Sequence, residues 1–150
     1  MSYEDPVLRI LCADDNRDTA DTLVILLQIA GLEARACYDG ISALAVAEEM
    51  RPDVLILDLS MPGLNGDEVG RRVRAREWGQ ATVLVALTGL PGEEARRRTA
   101  AAGFDLHLTK PVDPTELALT VMDLVILRGP HTPPPPRVPW QRTTSDNTPS

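Results

Sequence analysis

Five polar residues at the ends of short apolar runs define the chemistry open to this chain. Residues 7–13 lead into Asp14-Asp15, residues 54–57 into Asp58, residues 82–87 into Thr88, and residues 106–109 into Lys110-Pro111. A further run, 34–37, ends without such a residue. If these runs are parallel strands, three carboxylates, a hydroxyl and an ammonium meet at one sheet edge. Two carboxylates about 4 Å apart repel by roughly 4 kcal/mol at an effective dielectric near 20. Such a cluster is relieved by protonating one acid or by binding a cation. Oxygen donors without Cys or His point to Mg2+, which uses one or two carboxylates and completes its shell with water and phosphate oxygens. Lys110 and Thr88 supply the positive charge and the hydroxyl that a phosphoryl group needs. Asp58 is the candidate nucleophile: it ends the rigid run Val54-Leu55-Ile56-Leu57 and precedes the turn-rich Met61-Pro62-Gly63 and Asn65-Gly66. A carboxylate so placed can attack phosphorus and form an aspartyl phosphate.

The elements that must position these groups are legible as alternating strands and helices. Apolar runs separated by helix-like stretches read as βαβ units, hence an α/β fold with a parallel sheet covered on both faces. Ligands of such sheets bind outside the carboxyl ends of the strands. Asn16 or Asp18 caps a first helix whose apolar stripe is Ala20, Leu23, Val24, Leu27 and Ala30, with Gly31 ending it. Asp39-Gly40 opens a second, with Leu44 and Ala47 inward and Pro52 beyond its end. Residues 66–76 form a third, and 91–102 a fourth, stopped by Gly103. The fifth has Asp113 as cap, Pro114 at the first position and Glu116 three after the cap, with Leu117, Val121 and Leu124 as its stripe.

The 150 residues suit one domain, 43% hydrophobic and only 3% aromatic, so the core is aliphatic. No apolar run reaches the roughly 18 residues that span a bilayer. The start of the chain lacks a signal peptide pattern, and a cytoplasmic location is expected. A net charge of −7 argues against direct nucleic-acid binding. Residues 129–150 carry +1, leaving −8 on the body. Their run of prolines at 133–136 and Thr/Ser-rich end predict a disordered tail, either plainly solvated or a ligand for an aromatic-grooved module. Cys12 and Cys37 read as reduced core thiols, since no CxxC spacing supports a redox pair. Arg71, Arg72, Arg74 and Arg76, and then Arg96, Arg97 and Arg98, read as two solvated helix faces or as a docking surface for an acidic partner.

The ordered set Asp14-Asp15-Asn16, Leu57-Asp58-Leu59-Ser60-Met61-Pro62-Gly63-Leu64-Asn65-Gly66, Leu87-Thr88-Gly89 and Leu108-Thr109-Lys110-Pro111 resembles the receiver domain of bacterial two-component response regulators. The likeness spans about residues 7–127. It implies a flavodoxin-like, doubly wound five-stranded sheet of order 2-1-3-4-5 with five helices, in a receiver domain over 1–128. By position it implies Asp58 as phosphoacceptor, and Mg2+ held by Asp15 and Asp58, by the Ser60 carbonyl, and by Asp14 through a water. It implies Thr88 and Lys110 as phosphoryl-binding residues, and a cis peptide between Lys110 and Pro111. The implied partners are a sensor histidine kinase or histidine phosphotransfer protein and an unknown downstream protein, with a phosphorylation-dependent homodimer among the outcomes. Membranes and nucleic acid are not expected partners.

The chain departs from the family pattern at His107, where an aromatic switch residue is usual. His107 reads either as a switch acting with Thr88 or as a half-buried strand residue without a special role. Ser60 and Leu90 stand where the family tunes its dephosphorylation rate. Alternatives kept open are a Mg2+-dependent phosphohydrolase with an aspartyl-phosphate intermediate, a receiver piece of a hybrid histidine kinase, and a phosphate-independent interaction module. A haloacid-dehalogenase-type phosphatase wants a second Asp where Ser60 stands. Met1 and the polar tail favour a complete stand-alone chain, self-phosphorylating rather than enzymatic.

Overall fold

The runs Val54–Asp58 and Val83–Thr88 are buried at every residue, as strands covered on both faces must be. They are β3 and β4 of a parallel sheet completed by β1 (Arg9–Ala13), β2 (Glu33–Cys37) and β5 (Leu106–Thr109), in the order β2-β1-β3-β4-β5. The computed structural model describes residues 8–90 and 92–128. Helices α1 (Arg17–Ile29), α2 (Gly40–Met50), α3 (Gly66–Arg74) and α4 (Gly92–Ala102) fill the four crossovers and α5 (Pro114–Arg128) follows β5, giving the flavodoxin-like architecture. Val7, Pro91 and the proline-rich segment 129–150 lie outside the described residues.

Side chains alternate across the sheet and build two cores. Leu11, Leu55, Leu57, Leu84 and Ala86 face α2, α3 and α4, joined by Val69, Val73 and Phe104. Ile10, Cys12, Ile56, Val85 and Leu87 face α1 and α5, against Leu23, Leu27, Leu117 and Val121. Cys12 and Cys37 fall into different cores on opposite faces, so both are buried free thiols, and burial pushes each thiol pKa up.

Local chemistry fixes the helix starts. Asn16, not Asp18, caps α1 by accepting from the Thr19 amide at 3.2 Å. Asp39 accepts from the Ser42 amide at 2.7 Å and Asp113 from the Glu116 amide at 3.2 Å. Several details differ from the sequence expectation. Ala30 is exposed, because α1 stops at Ile29 and Ala30 is its C-cap. In α2 the inward residues are Ala43, Ala47 and Met50, with Leu44 only half-buried against the margin of that core. Leu124 is likewise half-buried, and Ala118 joins Leu117 and Val121 in the core. Helix α3 ends at Arg74 rather than Arg76, giving way to a 3-10 turn at Trp78–Gln80. Strand β4 starts one residue late, at Val83, because the Thr82 amide donates back to the Gly79 carbonyl at 3.3 Å; the Thr82 hydroxyl donates to the Pro52 carbonyl at 3.0 Å.

Candidate functional site

The parallel register carries the polar residues to one edge. Ala13 pairs with Leu57, Asp58 with Leu87, and Thr88 with Thr109. Hydrogen bonds extend the ladder past the strand ends: the Asp14 amide donates to the Cys37 carbonyl at 3.1 Å, the Leu59 amide to Leu87 at 2.9 Å, and the Lys110 amide to Thr88 at 2.7 Å. The Lys110–Pro111 bond is cis. Gly66 is required where α3 begins, because a Cβ there would lie 2.2 Å from the Asp58 carbonyl oxygen.

Asp14, Asp15 and Asp58 each offer a carboxylate oxygen within 4.8 Å of the others; Asp14 and Asp58 are buried and Asp15 is exposed. The Lys110 ammonium sits between the buried pair, donating to Asp58 Oδ2 at 3.0 Å and to Asp14 Oδ1 at 3.3 Å. Backbone amides add to the holding: Ser60 donates to Asp58 Oδ1 at 3.1 Å, and Asn16 to Asp14 Oδ1 at 3.0 Å. Burial pushes the Asp58 carboxyl up to about 6, with the negative charge of Asp14 adding to the rise while Lys110 and the Ser60 amide oppose it. Burial also works against the charge on Lys110, yet its bonds to Asp58 and Asp14 outweigh this and hold its pKa above the ordinary value.

One cation therefore serves two buried acids. Among the described residues, Asp14 Oδ2 is buried without a hydrogen bond, having only the Coulombic contact with Nζ at 3.1 Å. An orphaned buried oxygen amid hard oxygen donors fits a divalent cation of the Mg2+ kind.

Thr88 is buried, and its hydroxyl oxygen accepts from the Leu90 amide at 2.9 Å, shaping the loop into α4. His107 is half-buried on β5 opposite Ala86. Its neighbours Leu106 and Leu108 pack against the α1/α5 core, so the alternation turns His107 to the α4 side.

The arginine-rich stretches are not two uniform solvated faces. Arg71 and Arg72 pair with Glu68, Arg76 with Glu48 and Arg97 with Glu93 at the surface. Arg74, however, is only 13% exposed, donating to the carbonyls of Gly79, Thr82 and Gly103 and to Asp105. Arg98 turns inward to Asp67 on α3 through two bonds, at 2.9 and 2.8 Å. Sequence reasoning missed Asp67 and Asp105, whose partners lie 31 residues away along the chain.

A family model described as the response regulator receiver domain matches residues 10–122, and the chain belongs to that family. It is a phosphoacceptor module of two-component signalling. The chain is 38% identical over 108 residues to an uncharacterised 14.6 kDa protein of Leptolyngbya boryana, covering 72% of this chain and 82% of that one. It is 33% identical to the DNA-binding dual master transcriptional regulator RpaA of Synechocystis, covering 78% of this chain and 48% of that protein. It thus spans about half the length of that DNA-binding relative. Among solved structures, the chemotaxis response regulator CheY4 of Vibrio cholerae matches with a TM-score of 0.73 and 32% identity, over 80% of this chain and 99% of that one. Receiver domains are signalling domains that interact with histidine kinases or phosphotransfer proteins, and the family binds Mg2+ at an acidic pocket. Among the described residues, no helix is long and apolar enough to cross a membrane.

Proposed function

We propose that Asp58 is the phosphoacceptor, receiving its phosphoryl group from the phosphohistidine of a sensor kinase or phosphotransfer protein. The observation that carries this reading is the Lys110 ammonium between two buried carboxylates, 3.0 Å from Asp58 and 3.1 Å from Asp14, beside the buried Thr88 hydroxyl. An Asp58 oxygen attacks phosphorus, the donor N–P bond breaks, and the imidazole leaves with that electron pair. Lys110, freed from Asp58, pairs with one phosphoryl oxygen, and the Thr88 hydroxyl donates to another. Asp14, Asp15, Asp58 and the Ser60 carbonyl would hold Mg2+, which when bound neutralises charge on the transferring group.

The chain catalyses only its own phosphorylation and dephosphorylation in the cytoplasm. Ser60, standing two residues after the acceptor, cannot serve as the general acid that a phosphohydrolase would place there. Thr88 and His107 form the switch, and the surface of α4, β5 and α5 forms the protein-facing output. The receiver unit is 1–128, and 129–150 is dispensable for phosphorylation. Acetyl phosphate with Mg2+ is expected to add one phosphoryl group by intact mass. No addition with Mg2+ present, or equal addition in EDTA, would contradict the reading.

A further inference from the structure

The charged tie between α3 and α4 is a feature that the phosphoacceptor chemistry leaves unused. Arg98 grips Asp67 with two parallel bonds, and the pair is mostly shielded, with side chains 25% and 15% exposed. Two-pronged pairs of this kind fix orientation as well as distance. Asp67 directly follows Gly66, which is packed on the Asp58 carbonyl. Arg98 lies in the middle of α4, the helix entered from Thr88 through the loop that begins at Gly89. The tie thus links the segment beside the acceptor to the helix that follows the phosphoryl-binding hydroxyl.

Among the described residues, helix α4 packs inward through small side chains only. Its inward residues are Ala95, Thr99 and Ala102, whereas α1 buries Leu23, Val24 and Leu27. Small side chains remove far less apolar area from water, so α4 is held less firmly than α1. The Thr99 hydroxyl bonds back to its own helix, at the Ala95 and Arg96 carbonyls, and not to a neighbour. The loop leading into α4 is tied by the Leu90 amide to the Thr88 hydroxyl, the group that would turn toward a phosphoryl oxygen.

We propose that the Asp67–Arg98 pair is a latch that holds α4 in its resting position and so opposes phosphorylation at Asp58. The inference rests on the phosphoacceptor reading above. An interaction made in the resting state and weakened when α4 moves lowers the affinity of the site for a phosphoryl group by its differential strength. Removing it raises that affinity by the same factor.

Beryllofluoride with Mg2+, a phosphoryl mimic, tests this by calorimetric titration of the full chain. Arg98→Lys keeps the charge but loses the two-pronged geometry, and Asp67→Asn loses the charge. Both are expected to bind about five-fold more tightly than the unmodified chain. Arg97→Ala, which removes only an exposed 3.8 Å contact with Glu93, is expected to leave the affinity unchanged. Circular dichroism checks each fold, and Arg98→Lys decides the matter if Asp67→Asn unfolds. Unchanged or weaker affinity in Arg98→Lys overturns the latch, as does equal tightening in Arg97→Ala. If the unmodified chain fails to bind beryllofluoride, the phosphoacceptor reading falls instead.

Discussion

Two clusters of acidic and basic side chains in this molecule are built to opposite ends. At the site, Asp14 and Asp58 share the single ammonium of Lys110, and burial raises the Asp58 pKa to about 6. Between α3 and α4, Asp67 has a guanidinium to itself; burial works against its charge, but the bonds and charge of Arg98 outweigh this and lower its pKa. Arg74 is satisfied in the same manner, by three carbonyls and Asp105. The balanced clusters fasten helices and strands. The unbalanced one stores repulsion that a cation can relieve, so its surplus of negative charge is a functional property that opposes stability.

The largest effect expected from breaking this contrast is at Arg74. Arg74→Ala removes the donor shared by three part-buried carbonyls and Asp105, and should lower unfolding free energy by about 3 kcal/mol in urea denaturation. Asp58→Asn should do the reverse at pH 7. The folded chain keeps Asp58 protonated up to about 6, whereas the unfolded chain ionises it near the ordinary value of 3.8. Stability is therefore lost as pH rises through that window, and the penalty is complete above it. The full effect corresponds to about 3 kcal/mol, so a gain of about 2 kcal/mol is expected at pH 7, vanishing toward pH 4. A loss of stability at pH 7 would contradict the surplus of charge.

Mg2+ at ten times its dissociation constant should stabilise the unmodified chain by about 1.4 kcal/mol. Asp15→Ala should shrink that gain, and the reading of the acidic cluster fails if EDTA leaves the unmodified chain's melting temperature unchanged. The smallest effect is at Asp67. Its lowered pKa contributes stability above the ordinary carboxylate range, and that contribution disappears as pH falls through the folded value. Asp67→Asn should lower stability by about 1 kcal/mol at pH 7 and make no difference in strong acid.

The same contrast explains what could be read from the sequence. Asp14, Asp58, Thr88 and Lys110 were legible because each stands at the end of an apolar run, and parallel strands deliver their ends to a common edge. Asn16, Asp39 and Asp113 were legible because a cap acts within three residues of itself. The roles of Arg74 and Arg98 were not legible. Each sits among other arginines, and what separates it from them is a shielded ion pair with another element. Element ends were blurred for a related reason: Thr82 and Ala30 fit their elements by pattern, yet a turn bond from the Thr82 amide to Gly79 in one case and a C-cap in the other moved the boundary.

Peptide mapping of the acetyl-phosphate-treated chain tests the central claim most directly, that the overcrowded carboxylate is the one that takes the phosphoryl group. The phosphoryl group should be found on Asp58 alone, be absent from Asp58→Asn, and persist in Asp67→Asn. A phosphoryl group on Asp14, on Asp15 or on any residue of the Asp58→Asn variant would contradict it.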